Sequence, residues 1–138
     1  MKPKYVFDTS AVITYFTGES GAKIIKNLLV RSEKNEVTVL VPHVVLIEFY
    51  YISYKRAGED AANQRFVYLQ NLPVTFIKYI NEPYLVQSGR LKAQYPISLA
   101  NAMIASYALI EKAILIHKDS EFLSLKKEVN LQTLPLKS

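Results

Sequence analysis

Apolar residues in this chain fall into two kinds of run. The short, nearly unbroken ones are KYVFD at 4–8, VTVLVP at 37–42, VTFIKY at 74–79 and AILIH at 113–117. They lack the alternation of a half-exposed strand and predict β-strands covered on both faces. Between them the apolar positions recur at helical spacing. Thr9 and Ser10 offer a cap for a helix through AVITYF that stops at Gly18. A second helix, about 20–33, sets Ala22, Ile25, Leu28 and Leu29 on one side. Residues 43–56 and 59–72 predict two helices separated at Gly58, and Pro73 opens the third strand. Helices at about 82–94 and 98–112, a short one near 120–124 and an extended LQTLP complete the pattern.

Strands alternating with helices predict an α/β fold: a three-layer α/β/α domain around a central parallel sheet of four to five strands. No repeat, low-complexity tract or long linker interrupts residues 1–138, so one continuous domain is expected, large enough to bury a single core. The absence of cysteine removes disulfides, thiolate nucleophiles and Cys-based zinc or iron–sulfur sites. No apolar run reaches membrane-spanning length and the start MKPKYVFD lacks a signal peptide's apolar region, so a cytoplasmic protein with no membrane association is expected. The formal charge of +5 favours an anionic partner, although the surplus is small.

The placement of the acids says more than the net charge. Only three aspartates occur, and Asp8 and Asp119 each follow a predicted strand. In parallel α/β sheets the functional crevice lies beyond the carboxyl ends of the strands. Two acids on that rim suit a divalent cation, whose ligands are oxygens. Glu48 lies inside VVLIEFYYISY, a helix that is apolar nearly all round, where a carboxylate needs a cation or a hydrogen-bond partner. An ion pair with a lysine or arginine would satisfy it, as would a metal or water. In SLANAMIASYAL, Ser98 is a credible N-cap and Asn101 stands at the position of a capping-box partner. Asn101 also lies at a helix N-terminus, where ligand groups gather.

Taken in order, VFDTSAVI, VPHVVLIEFYY, SLANAMIASYAL and ILIHKDSEF resemble the PIN domain family, in particular its VapC-type toxins, over essentially the whole chain. The resemblance implies a small α/β domain and a metal-dependent ribonuclease whose acids surround Mg²⁺ or Mn²⁺. It implies that Asp8, Glu48, Asn101 and Asp119 occupy the four family positions, with Glu121 an auxiliary acid and Thr9 or Ser10 placed for metal-linked water. It further implies RNA as substrate, a homodimer and a small cognate antitoxin, as in a VapBC-type toxin–antitoxin system. The family usually has aspartate where this chain has Asn101. A neutral amide is a weaker ligand for a hard cation and takes no proton from water. The alternative is therefore a PIN-like module that binds RNA or protein with weakened or no turnover.

Among the basic residues, Lys2, Lys4, Arg56, Lys78, Lys92 and Lys118 are candidates for phosphate contact, Lys118 most of all because it adjoins Asp119. His43 and His117 are expected in structural roles, although His117 stands where many relatives carry a small hydroxyl residue. Met103, Ile104 and Tyr107 are expected in the core or an interface. Phe49, Tyr50, Tyr51 and Tyr54 are expected partly in a subunit or partner contact, since tyrosine joins apolar area to a polar tip.

Overall fold

The computed structural model describes residues 2–136. Five parallel strands form one sheet: β1 (Lys4–Phe7), β2 (Thr38–Pro42), β3 (Thr75–Ile77), β4 (Ile114–His117) and β5 (Leu131–Thr133), in the order β3-β2-β1-β4-β5. Flanking helices are α1 (Thr9–Thr17), α2 (Ala22–Glu33), α3 (His43–Gln70), α4 (Glu82–Gln94) and α5 (Leu99–Glu111), with a 3₁₀ turn at Ser120–Leu125. This is the expected α/β architecture at the upper limit of its strand count.

The sheet is built from β-branched and leucine-rich runs. Val6, Val39, Val41, Leu115 and Ile116 are almost fully buried. Burying each such side chain contributes about 1.5–3 kcal/mol, and this common demand fixes the register. Val6 pairs with Leu115 and Phe7 with Ile116. The chain moves outward from β1 to β2 and β3, then returns to place β4 and β5 on the other side of β1. The strand order therefore reverses between β1 and β4, and a crevice opens beyond their carboxyl ends.

Several boundaries shift for identifiable reasons. Asp8, not Thr9 or Ser10, caps α1: its side chain accepts from the Ala11 N–H. The second helix begins at Ala22 because Gly21 precedes it with φ 97°, and a Cβ there would lie 3.1 Å from Leu134. The third strand ends at Ile77 instead of 79, since its partner β2 runs out at Pro42, the residue paired with Ile77. The last strand likewise ends at Thr133, opposite His117.

The separation expected at Gly58 is a sharp bend within α3. Gly58 has φ 89° and ψ 176°, a conformation open essentially to glycine alone. The bend folds residues 59–70 back so that Ala62 and Leu69 are buried and Tyr50 donates to Asn63 at 2.7 Å. Ile104 and Tyr107 lie in the core as expected, and Phe49 joins them, while Tyr51 and Tyr54 stay exposed. No described helix is long and apolar enough to cross a membrane.

Candidate active site

The ends of β1 and β4 deliver the first two acids. Asp8 follows β1 directly, and its N–H donates to the Ile116 carbonyl at 3.2 Å, tying it to the neighbouring strand. Only 2% of Asp8 is exposed. Its carboxylate accepts from Ala11 N–H at 2.8 Å and lies 2.8 and 2.7 Å from the Ser10 hydroxyl. Ser10 Oγ in turn accepts from the Lys118 N–H at 2.8 Å, so one hydroxyl joins the β1 and β4 exits. Burial pushes the Asp8 carboxyl up to about 7; the bonds from Ser10 and Ala11 oppose that rise, and the charge of Asp119 adds to it.

Asp119 caps the 3₁₀ turn by accepting from the Glu121 N–H at 2.9 Å. Its backbone N–H donates to His117 Nδ1 at 3.1 Å. His117 is fully buried, and its Nε2 lies 3.0 Å from the Thr133 hydroxyl. A ring nitrogen that accepts is unprotonated, so Nε2 carries the proton and donates to Thr133. Burial lowers the His117 pKa and favours this neutral form. The expected structural role of His117 thus has a specific content: it fixes the backbone that carries Asp119.

Glu48 reaches the same crevice from α3. It is half-buried and accepts from the Thr9 hydroxyl at 2.5 Å. Among the described residues it makes no ion pair, so a lysine or arginine partner is not what satisfies it. Thr9 and Ser10 therefore touch the acids themselves.

Asn101 stands on the first turn of α5, 8% exposed. Ser98 caps that helix, accepting from the Asn101 N–H at 3.1 Å. The reciprocal half of the cap is not Asn101: the Ser98 N–H donates to Glu121 at 2.7 Å. The Asn101 side chain is thereby released toward the acids. Its amide nitrogen donates to Asp119 at 3.0 Å and to Glu121 at 2.8 Å.

All seven candidates, Asp8, Thr9, Ser10, Glu48, Asn101, Asp119 and Glu121, line one cavity of about 400 Å³, with Ile13 and Ile52 as its apolar wall. Lys118 is not among its lining residues; its ammonium lies 3.7 Å from Glu19. Four carboxyl groups thus share a cavity in which no lysine or arginine pairs with them among the described residues. An all-oxygen donor set of this charge fits a hard divalent cation, Mg²⁺ or Mn²⁺, better than a soft metal. Among the described residues no three Asp, Glu or His side chains are already drawn together around one point. The Asn101 amide offers its N–H₂ face to Asp119 and Glu121, the face that cannot ligate a cation.

Sequence reasoning missed one support of this site: Thr133, which holds His117 and carries no local signal of that role.

The fold matches solved structures. It is similar to VapBC2 from Rickettsia felis bound to a DNA fragment from their promoter, at 19% identity and TM-score 0.74, covering 96% of this chain and 99% of that one. It is similar to VapBC-1 from nontypeable Haemophilus influenzae, at 18% identity and TM-score 0.69, covering 94% and 97%. It is also similar to VapC20 from Mycobacterium tuberculosis, described as a sarcin-ricin loop cleaving toxin, at 16% identity and TM-score 0.69, covering 95% and 99%. No curated protein sequence matches the chain. The family model for the PIN domain matches residues 5–128, through Asp8, Glu48, Asn101, Asp119 and Glu121 alike. This chain belongs to the PIN domain family.

Proposed function

We propose that this protein is a metal-dependent endoribonuclease, the toxin of a VapBC-type toxin–antitoxin pair, acting in the cytoplasm. The observation that supports it is the cavity at the β1 and β4 ends, which gathers four carboxyl groups without a basic partner among the described residues. Asp8, Glu48, Asn101 and Asp119 form the catalytic set; the three carboxylates hold the metal and the Asn101 amide nitrogen holds Asp119. Bound there, Mg²⁺ or Mn²⁺ supplies activated water and neutralises charge on the phosphate. Ser10 and Ala11 hold the Asp8 carboxylate in place, Thr9 holds Glu48, and His117 holds the backbone of Asp119. Asn101 orients without accepting a proton. A cognate antitoxin protein restrains the activity, and the chain forms a homodimer through α3, which exposes Ile47, Tyr51 and Tyr54 at helical spacing.

A second reading is favoured by one observation. The Asn101 N–H₂ group occupies both Asp119 and Glu121, as in a domain that binds RNA or protein without cutting. Cleavage of structured RNA by this chain and by Asn101→Asp, with Mg²⁺, Mn²⁺ or a chelator and with Asp8→Asn as the inactive reference, separates the two. Comparable metal-dependent rates support the nuclease as it stands. Cutting by Asn101→Asp alone identifies a real site disabled at position 101, and silence from both, with folding confirmed, leaves the binding module.

A further inference from the structure

Two residues of the acidic cavity depend on how a helix is seated: Glu48 rides on α3 and Asn101 on α5. The start of α5 is pinned by the Ser98 cap. The start of α3 has no such pin. Pro42 precedes it without a side-chain cap, and no acid stands in its first turn. Val44, Val45 and Leu46 bury that end, but apolar burial alone is non-directional. The directional contact comes from His43, the first residue of the helix. Its Nε2 lies 3.1 Å from the Tyr84 hydroxyl on α4.

His43 also meets an aromatic stack. Tyr84 and Tyr107 lie face to face, with ring centroids 4.1 Å apart and planes 15° apart, and His43 stands edge-on to them at 6.0 and 5.9 Å. Both tyrosines are almost fully buried. The Tyr107 hydroxyl donates to the Tyr79 carbonyl at 2.6 Å, which uses its only proton. In its bond with Tyr84 it is therefore the acceptor, and the Tyr84 proton is used there. That leaves Tyr84 to accept from His43 Nε2–H. The Tyr79 hydroxyl continues to Glu111 at 2.9 Å, whose other oxygen takes Lys4 of β1 at 3.2 Å. One polar chain thus ties α3 to α4, α5 and β1, and none of its groups enters the proposed chemistry. Glu48 stands about 7.5 Å of helical rise from His43, and Asn101 about 9 Å from Tyr107. The stack is the common brace of the two helices.

We propose that His43 is a positioning residue for Glu48: bonded to Tyr84 and braced on the Tyr84–Tyr107 stack, it sets the rotation and height of α3 against α5, and so where the Glu48 carboxylate stands relative to Asn101 and Asp119. The proposal rests on the metal-dependent reading of the acidic cavity for its consequence, although the seating of Glu48 is separable from metal binding. Three variants of the full chain test it. His43→Phe keeps an edge-on ring and loses the bond, Tyr84→Phe removes the acceptor, and His43→Gln restores a donor at similar reach. Calorimetric titration with Mn²⁺ alone reads the result. His43→Phe and Tyr84→Phe are expected to weaken Mn²⁺ binding by about three- to tenfold, the net worth of one hydrogen bond, and His43→Gln to recover most of it. In a Glu48→Gln background His43→Phe is expected to cost nothing further, whereas in an Asp119→Asn background it keeps its cost, as for a residue acting through Glu48. Thermal melts check that the variants fold.

A loss that His43→Gln fails to recover, or that repeats undiminished in the Glu48→Gln background, overturns the proposal and makes the stack packing alone. The carboxyl ¹³C signal of Glu48 in the metal-free protein separates this failure from that of the metal reading. If the parent binds no Mn²⁺ while His43→Phe displaces that signal and His43→Gln returns it, the metal reading falls and the positioning stands. If Mn²⁺ binds but neither its affinity nor the signal responds to His43→Phe, the positioning falls and the metal reading stands. An unmoved Glu48 signal sinks the positioning whether or not metal binds.

Discussion

Asn101 is held where a positive charge would be most welcome. Its amide protons cross-link Asp119 and Glu121, relieving part of a repulsion that Asp8 still feels from Asp119. Replacing it with aspartate removes both donors and adds a charge. Asn101→Asp is therefore expected to destabilise the metal-free protein by about 1–3 kcal/mol, and Mg²⁺ to raise its melting temperature more than that of the parent. Melts with and without Mg²⁺ measure this; equal Mg²⁺ responses would remove position 101 from the metal site. Asp8 carries the opposite pH signature to a salt-bridged carboxylate. Its pKa rises from 3.8 in the unfolded chain to about 7 in the fold, mainly through burial. The folded state thus holds this proton at pH values where the unfolded chain has released it. The associated stability is complete below pH 3.8 and is lost as pH rises through about 7. In EDTA the protein is expected to melt lower at about pH 8 than at about pH 6, and Asp8→Asn to flatten that difference. A parent and variant with the same pH profile would show that burial is not what governs Asp8.

The elements transmit these demands over longer distances. β5 reaches the site through Thr133, His117 and the Asp119 backbone. Thr133→Val leaves a buried N–H without an acceptor, at a cost of about 1–3 kcal/mol, and frees the His117 ring. If the chain cuts RNA, kcat is expected to fall with KM little changed, and Thr133→Ser to restore it; a kcat loss that serine fails to restore would point to packing alone. The bend in α3 is a second such device. Gly58→Ala forces a β-carbon into a conformation costing about 1–3 kcal/mol, detected as a lower melting temperature. These two elements also mark the limit of what the chain's own pattern reveals. The strands and helices are legible because each follows its own periodicity, and Asp8 and Asp119 because each directly follows an apolar run. Glu121 as half of the Ser98 cap is not legible, since the bond spans 23 residues and depends on two loops meeting. His117 with Thr133 is hidden for the same reason: their pairing is a property of sheet register, which no local pattern encodes.

At the scale of the whole molecule, the homodimer proposed here predicts a sedimentation mass twice that of the 15.7 kDa chain. Tyr51→Glu, on the exposed face of α3, is expected to shift it to the monomer; a parent that sediments as a monomer at all accessible concentrations would remove α3 as a dimer face. The strand order carries a different kind of consequence. β1 is synthesised before every other strand, yet it occupies the middle of the sheet and gains its second neighbour, β4, only after residues 114–117 are made. Asp8 and Glu48 therefore leave the ribosome long before Asn101 and Asp119, and His117 waits longer still for Thr133. A nascent or stalled chain holds half of its candidate acids with nothing to arrange them. For a protein proposed to cut RNA, this order of assembly withholds the complete set of acids until the sheet itself is complete.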